Sequence, residues 1–272
     1  QFLPGVRANN TAGDPAGTGQ SEQSIASRGR HVLVMWNDGL GLPPNTAGHV
    51  LGYGFSTDGG WTFTDGGAPP ATGVSRWTGD PVVAVSRATG EFWLCGMAQP
   101  TTATNGIAVV RGTFNASDIL NWNVPVIARS VPNAQFIDKQ WMVADSSNGN
   151  LYLVYTRYAN NFQFNEIQFQ RLTPGGAWST PITLSAPADT GLVQGARVGV
   201  GPNGEVYAIW AAISLATDED FFHFRVSTDQ GLNWSTQVSL PGYIANWGTG
   251  APGFSREFGI TYPSLAVDRT QG

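Results

Sequence analysis

The sequence holds 272 residues with a net charge of −5 and only 12% charged side chains, which leaves no basic surface for nucleic acid or an anionic membrane. Its 41% apolar residues, with 10 Trp and 14 Phe, suffice for a large core, and 35 Gly with 17 Pro suit many tight turns rather than long helices. No apolar run approaches the roughly 18 residues of a membrane span, and the single Cys95 can form no internal disulfide, so cysteine use is silent between cytosol and exterior.

Residues 1–21 are rich in Gly, Ala, Asn and Thr without a periodic pattern, and read as a surface segment. They carry no initiator methionine or signal peptide, so Gln1 reads as a processed or trimmed end. A repeat then begins. Short strands are predicted at Gln23–Ala26, Pro81–Ser86, Gln140–Asp145 and Ala196–Gly201, each followed by a Gly turn. Apolar strands come next, at His31–Trp36, Glu91–Gly96, Asn150–Tyr155 and Glu205–Trp210. Each unit closes on a hairpin whose aromatic residue recurs at Phe63, Trp122, Trp178 and Trp234, at intervals of 59, 56 and 56.

Two of those hairpins share one pattern: Ser56-Thr57-Asp58-Gly59-Gly60-Trp61-Thr62-Phe63 and Ser227-Thr228-Asp229-Gln230-Gly231-Leu232-Asn233-Trp234. The Asp accepts hydrogen bonds from N–H groups of the turn, the Gly supplies a positive φ, the Ser adds a second side-chain bond, and the aromatic ring covers the turn. Four antiparallel strands per unit is the blade of a β-propeller. The predicted blades are 22–64, 80–126, 138–184 and 195–240, with the start of a fifth within 258–272, at Tyr262-Pro-Ser-Leu-Ala-Val-Asp268. An all-β propeller is the expected fold class.

On these hairpins, and on the blade openings Asp80–Val85, Asp138–Asp145 and Tyr262–Asp268, the sequence resembles the sialidase-like superfamily of Asp-box (BNR) propellers over about residues 20–272. It is similar to secreted bacterial members of that group. The resemblance implies six or seven blades, a secreted or cell-surface location and a glycan or surface protein as partner. It also implies a longer chain: a C-terminal part, or self-association, would close the ring. Sialidases carry an Arg-Ile-Pro segment, further arginines for the substrate carboxylate, an Asp acid/base and a Tyr–Glu pair. No Arg-Ile-Pro occurs here, Val6-Arg7-Ala8 being the nearest text, so no catalytic residue carries over.

Ser56, Asp58, Gly60 and Phe63, with Ser227, Asp229, Gly231 and Trp234, are read as structural, because these hairpins lie away from the substrate face in such propellers. The opposite face gathers Asp38, Arg76, Trp77, Asp80, Asp138, Arg157 and Arg256 as candidate binding residues. Arg76-Trp77 suits a sugar, with the indole as a stacking platform and the guanidinium as a hydrogen-bond fork; an ordinary cation–π contact is the plainer reading. Glu22, Asp80 and Asp138 recur at equal spacing, either as a ring of carboxylates or as caps of their own loops. Asp218-Glu219-Asp220 could help bind Ca²⁺, or could be a solvated loop. No other cofactor is implied, and His31, His49 and His223 lack metal-ligand spacing. Three functions fit: a glycan- or protein-binding module, an exo-glycosidase of sialidase type completed by a further C-terminal part, or a self-assembling structural subunit.

Overall fold

The computed structural model describes residues 5–12, 14–15, 18–42, 48–159, 164–214, 217, 219–244 and 262–269. They form four antiparallel sheets. The first contains β1 (Gln20–Arg28), β2 (His31–Asp38), β3 (Leu51–Ser56) and β4 (Thr64–Gly67), paired in that order. The second contains β5 (Arg76–Val85), β6 (Phe92–Gln99), β7 (Thr104–Phe114) and β8 (Leu120–Trp122), with β9 (Val126–Pro132) also paired to β7. The third contains β10 (Phe136–Ala144), β11 (Leu151–Ala159), β12 (Phe164–Leu172) and β13 (Ile182–Thr183). The fourth contains β14 (Val193–Val200), β15 (Val206–Ala212), β16 (Glu219–Ser227) and β17 (Val238–Ser239), with β18 (Tyr243–Ile244) also on β16. Helix among the described residues is confined to the 3₁₀ turns Gly39–Gly41 and Pro187–Asp189, and no helix there is long and apolar enough to cross a membrane.

Why the chain forms these sheets is visible in their second strands. Each is an apolar run with aromatic residues buried on both faces, and β2, β11 and β15 add β-branched residues, which favours the pleated conformation. Residues 1–137 with 146–149 form one compact unit, and 138–145 with 150–272 form the other. In the first unit the core joins Leu33, Met35 and Leu51 to Trp77, Phe92, Leu94 and Val110. The second unit's core joins Tyr152, Val154, Ile167 and Phe169 to Val198, Val206, Ala208 and Trp210. Burying one such side chain contributes about 1.5–3 kcal/mol.

Within the first unit, β1 and β5 run side by side in parallel. Val83 N–H donates to Ser24 Oγ at 2.9 Å, and Arg28 Nε donates to the Arg87 carbonyl at 2.8 Å, the same offset at both ends. The N-terminal segment crosses this unit's outer strands: Asn10 N–H donates to Asp65 Oδ2 at 2.6 Å, and the Ala8 carbonyl lies against Gly54. In the second unit, residues 262–269 take no strand pairing but lie along β14, with the Tyr262 ring over Gly195 and Leu265 and Val267 over Gly199.

The first strands are longer than predicted, and the reason is local. The predicted starts Gln23, Pro81, Gln140 and Ala196 each follow directly on a residue with positive φ: Glu22 (54°), Asp80 (52°), Lys139 (50°) and Gly195 (69°). Register shifts in β1, β5 and β14 fall at these residues. A bulge breaks the alternation of faces, so the pattern is legible only after it.

Candidate functional site

A residue with positive φ therefore occupies one repeated position in the first strand of all four sheets, and in β1, β5 and β14 it coincides with a bulge in the pairing. Bulges re-aim side chains and gather next to active sites. Gly195 adopts the left-handed conformation freely, whereas a side chain there costs about 1–2 kcal/mol. Three sheets nevertheless carry Glu22, Asp80 and Lys139 at this position, each half-buried. One register correction follows: the third member of the series is Lys139, not Asp138, so the spacing that suggested three equivalent carboxylates was one residue out.

In the first unit, Asp80 N–H donates to Asn37 Oδ1 at 2.8 Å, and Asn37 pairs with Ser21 beside Glu22. Together with the parallel alignment of β1 and β5, this brings Asp80 level with Ser21, one residue from Glu22 on the neighbouring strand. The surrounding candidates are tied into loops. Asp38 Oδ1 caps the 3₁₀ turn by accepting from Leu40 N–H at 3.0 Å. Arg76 Nε donates to the Gly48 carbonyl at 2.9 Å, and its terminal nitrogen donates to the Gly41 carbonyl. His49 Nδ1 accepts from Trp77 N–H at 3.1 Å, and burial, then the neighbouring Arg76, lowers the His49 pKa.

Trp77 is a correction to the sugar-stacking expectation. Its side chain is 0% exposed, it sits in the core, and its Nε1 donates to the Pro70 carbonyl at 2.9 Å. An indole enclosed this way offers no face to a ligand.

In the second unit, the start of β10 carries Asp138 and Lys139. Gln194 Nε2 donates to Asp138 Oδ2 at 3.3 Å, and Gly195 N–H donates to Thr156 Oγ1 at 3.3 Å. Tyr158 lies close enough to Asp138 and Tyr262 for both to act on its hydroxyl: burial first, then these neighbours, push its pKa up, against a hydrogen bond with Asn165. Arg157 donates to Glu166 Oε1 at 2.9 Å, and Gln168 Nε2 donates to the same oxygen at 2.7 Å. Arg197 stacks its guanidinium 4.4 Å from the Trp141 ring centroid and donates to the Ala196 carbonyl at 3.1 Å.

The acidic run is also corrected in part. Glu219 and Asp220 open strand β16 instead of forming a solvated loop, and consecutive strand residues face opposite sides. Asp220 is buried and accepts from Ser214 N–H at 3.0 Å. Asp218 and Arg256 lie outside the described residues. Among the described residues, no group of three His, Cys, Asp or Glu is disposed to hold a metal ion.

The two Ser-Asp hairpins sit at the other end of their sheets. In the fourth sheet, Val193 pairs with Ala212 and Ala212 with Phe221 at one end, while Ser227 pairs with Val206 at the other. Ser227 Oγ donates to Asp229 Oδ1 at 2.8 Å and accepts from Gly231 N–H at 2.8 Å. Asp229 Oδ1 also accepts from Asn233 N–H at 2.8 Å. Ser56 Oγ donates to Asp58 Oδ1 at 2.7 Å and accepts from Gly60 N–H at 2.9 Å, while Thr62 N–H donates to Asp58 Oδ1 at 3.0 Å. Phe63 covers its own turn at Gly60, and Trp234 meets Phe169 edge-to-face at 4.9 Å.

Sequence reasoning weighed Glu22 only as one of three carboxylates, and Asn37, Tyr158 and Gln194 not at all. The available signal was that every readable first strand began one residue after a common position.

No protein-family model and no curated protein matches the sequence. Solved structures do match. An α-L-arabinanase of Penicillium chrysogenum, in complex with arabinobiose, superposes with a TM-score of 0.59 at 17% identity, covering 86% of this chain and 70% of that one. An α-L-arabinofuranosidase of Fusarium graminearum, in complex with an iminosugar inhibitor, gives 0.58 at 15% identity, with 85% and 71% covered. An endo-arabinase of Bacteroides thetaiotaomicron gives 0.54 at 14% identity, with 83% and 81% covered. At such identities the likeness is one of fold, and the fold is an all-β propeller of four-stranded antiparallel blades. The propeller part of the sequence resemblance stands; these three structures are not sialidases and lend that narrower assignment no support.

Proposed function

We propose that this chain is a carbohydrate-active propeller that hydrolyses glycosidic bonds where its first strands begin, with Glu22 and Asp80 as the paired carboxyl groups. The observation that carries the reading is the placement of two acids at one left-handed position of neighbouring parallel strands, where glycine would serve the fold. Glycoside hydrolysis needs such a pair: one carboxyl protonates the leaving oxygen, and the other attacks the sugar or activates water. The fold shared with arabinan-acting enzymes agrees with this chemistry.

A neutral glycan suits the site better than a sialic acid. Arg76 of the same unit is bonded to backbone carbonyls, and a pair of acids repels an anionic sugar. An extracellular location fits a polymeric substrate. The test is release of 4-nitrophenol from 4-nitrophenyl α-L-arabinofuranoside and of reducing ends from linear arabinan. Glu22→Gln and Asp80→Asn are each expected to lower kcat about a hundredfold or more with the fold intact. Full turnover in both variants would refute the assignment. Binding of arabinan without turnover in the wild type would favour the binding-module reading.

A further inference from the structure

We propose that Asn37 is a substrate-contacting residue of this site, its side-chain NH₂ donating to a hydroxyl oxygen of a neutral sugar bound at Glu22 and Asp80. The proposal rests on the carbohydrate reading above and adds a neutral donor that the hydrolytic pair lacks. Asn37 is half-buried in β2, where its backbone pairs with Ser21, next to Glu22, and its Oδ1 accepts from Asp80 N–H at 2.8 Å. That bond fixes which way the amide faces, because a backbone N–H can only donate and so must meet the oxygen. The amide's short bonds then keep Nδ2 within about 5.5 Å of the Asp80 nitrogen. Among the described residues Nδ2 has no protein acceptor, and unlike Nε1 of the neighbouring Trp36 it is not enclosed. Gly79, at φ 138°, adds no Cβ over the amide, where one would lie 3.3 Å from Oδ1 and 3.8 Å from Nδ2.

The fold uses only half of this amide. A strand N–H needs an acceptor and nothing more: Ser24 Oγ serves Val83 N–H at 2.9 Å three residues further along the same strands, and Asp38 Oδ1 serves Leu40 N–H at 3.0 Å. An aspartate at position 37 would hold Asp80 N–H as well. A carboxamide adds two N–H donors beside two carboxyl groups, which themselves offer mainly acceptors. A sugar hydroxyl is both donor and acceptor, so acids and amide together satisfy it where acids alone do not.

The test is Asn37→Asp, which keeps the acceptor for Asp80 N–H and removes the NH₂. It is expected to leave Tm unchanged and to lower kcat/KM on 4-nitrophenyl α-L-arabinofuranoside about tenfold. An added carboxylate also acts through its charge, so the deciding readout is the set of monodeoxy analogues of that substrate. One analogue is expected to cost the wild type about three- to tenfold more in kcat/KM than it costs Asn37→Asp, because only the wild type has that hydroxyl's donor. Equal losses for every analogue in the two proteins, with the wild type active, would overturn the role of Asn37 and leave the carbohydrate reading standing. If Asn37→Asp does not fold, amide NMR of Glu22→Gln with arabinobiose decides. A shifted Asn37 side-chain NH₂ pair supports the contact, and an unmoved pair while other resonances shift overturns it. A wild type that neither binds nor cleaves arabino-oligosaccharides overturns the carbohydrate reading, and this inference with it.

Discussion

Replacing Glu22 by glycine should make the protein more stable while abolishing its activity. At φ 54° the backbone of Glu22 lies in the left-handed region, which costs a residue with a Cβ about 1–2 kcal/mol. Glycine removes that cost but loses more freedom on folding, which takes back about 0.5–1 kcal/mol. The expected net gain is therefore about 0.5–1 kcal/mol, or a rise of roughly 2 °C in Tm for a chain of this size. The opposite exchange, Gly195→Ala, introduces the strain and presses a Cβ into the Tyr262 ring, so it should cost about 2–3 kcal/mol. Both are measured by urea unfolding followed through Trp fluorescence, with the slope unchanged if only stability has moved. Asp80→Gly should gain less, because short Asp side chains tolerate the left-handed region better. The reasoning fails if Glu22→Gly lowers the midpoint: the carboxylate would then be serving the fold, and the backbone outlier would carry no functional meaning.

Two further outcomes are expected. Trp77→Ala should destabilise by about 3–5 kcal/mol in a thermal melt, since the ring is fully enclosed; a near-neutral change would restore it as a surface platform. The Asp229 carboxyl is held down at about 2, against an ordinary 3.8, by hydrogen bonds from the backbone and side chain of Asn233 and from Ser227. A lowered folded-state value means its contribution to stability is present above about pH 4 and lost as pH falls through about 2. Asp229→Asn should flatten that acid limb of the stability profile, and an unchanged limb would show that other groups carry it.

How much was legible depended on how local the cause was. The blade period, the four second strands and the two Ser-Asp hairpins follow from contacts within a few residues. Short continuous apolar runs after Gly turns select the second strands, and Asp229 bonds a turn only four residues away. A chain carrying those patterns has little choice but to form those elements. The bulge is also local, yet it hides itself, because it interrupts the alternation by which strands are read. Hence Asp138 stood in for Lys139, and the segments before Gln23, Pro81, Gln140 and Ala196 went unread.

Other features belong to the tertiary structure alone. Arg76-Trp77 has the composition of a sugar platform, but packing against Leu51 and Leu94 buries the indole, and carbonyls of the preceding loop take up the guanidinium. Glu22 and Asp80 are 58 positions apart in the chain, and only the parallel alignment of β1 with β5 brings them within one residue of the same height. Periodicity decided which elements exist, since an element is a run of neighbours under one backbone geometry. Which side chains meet was decided by how one sheet lies against the next, and that depends on residues the period cannot relate.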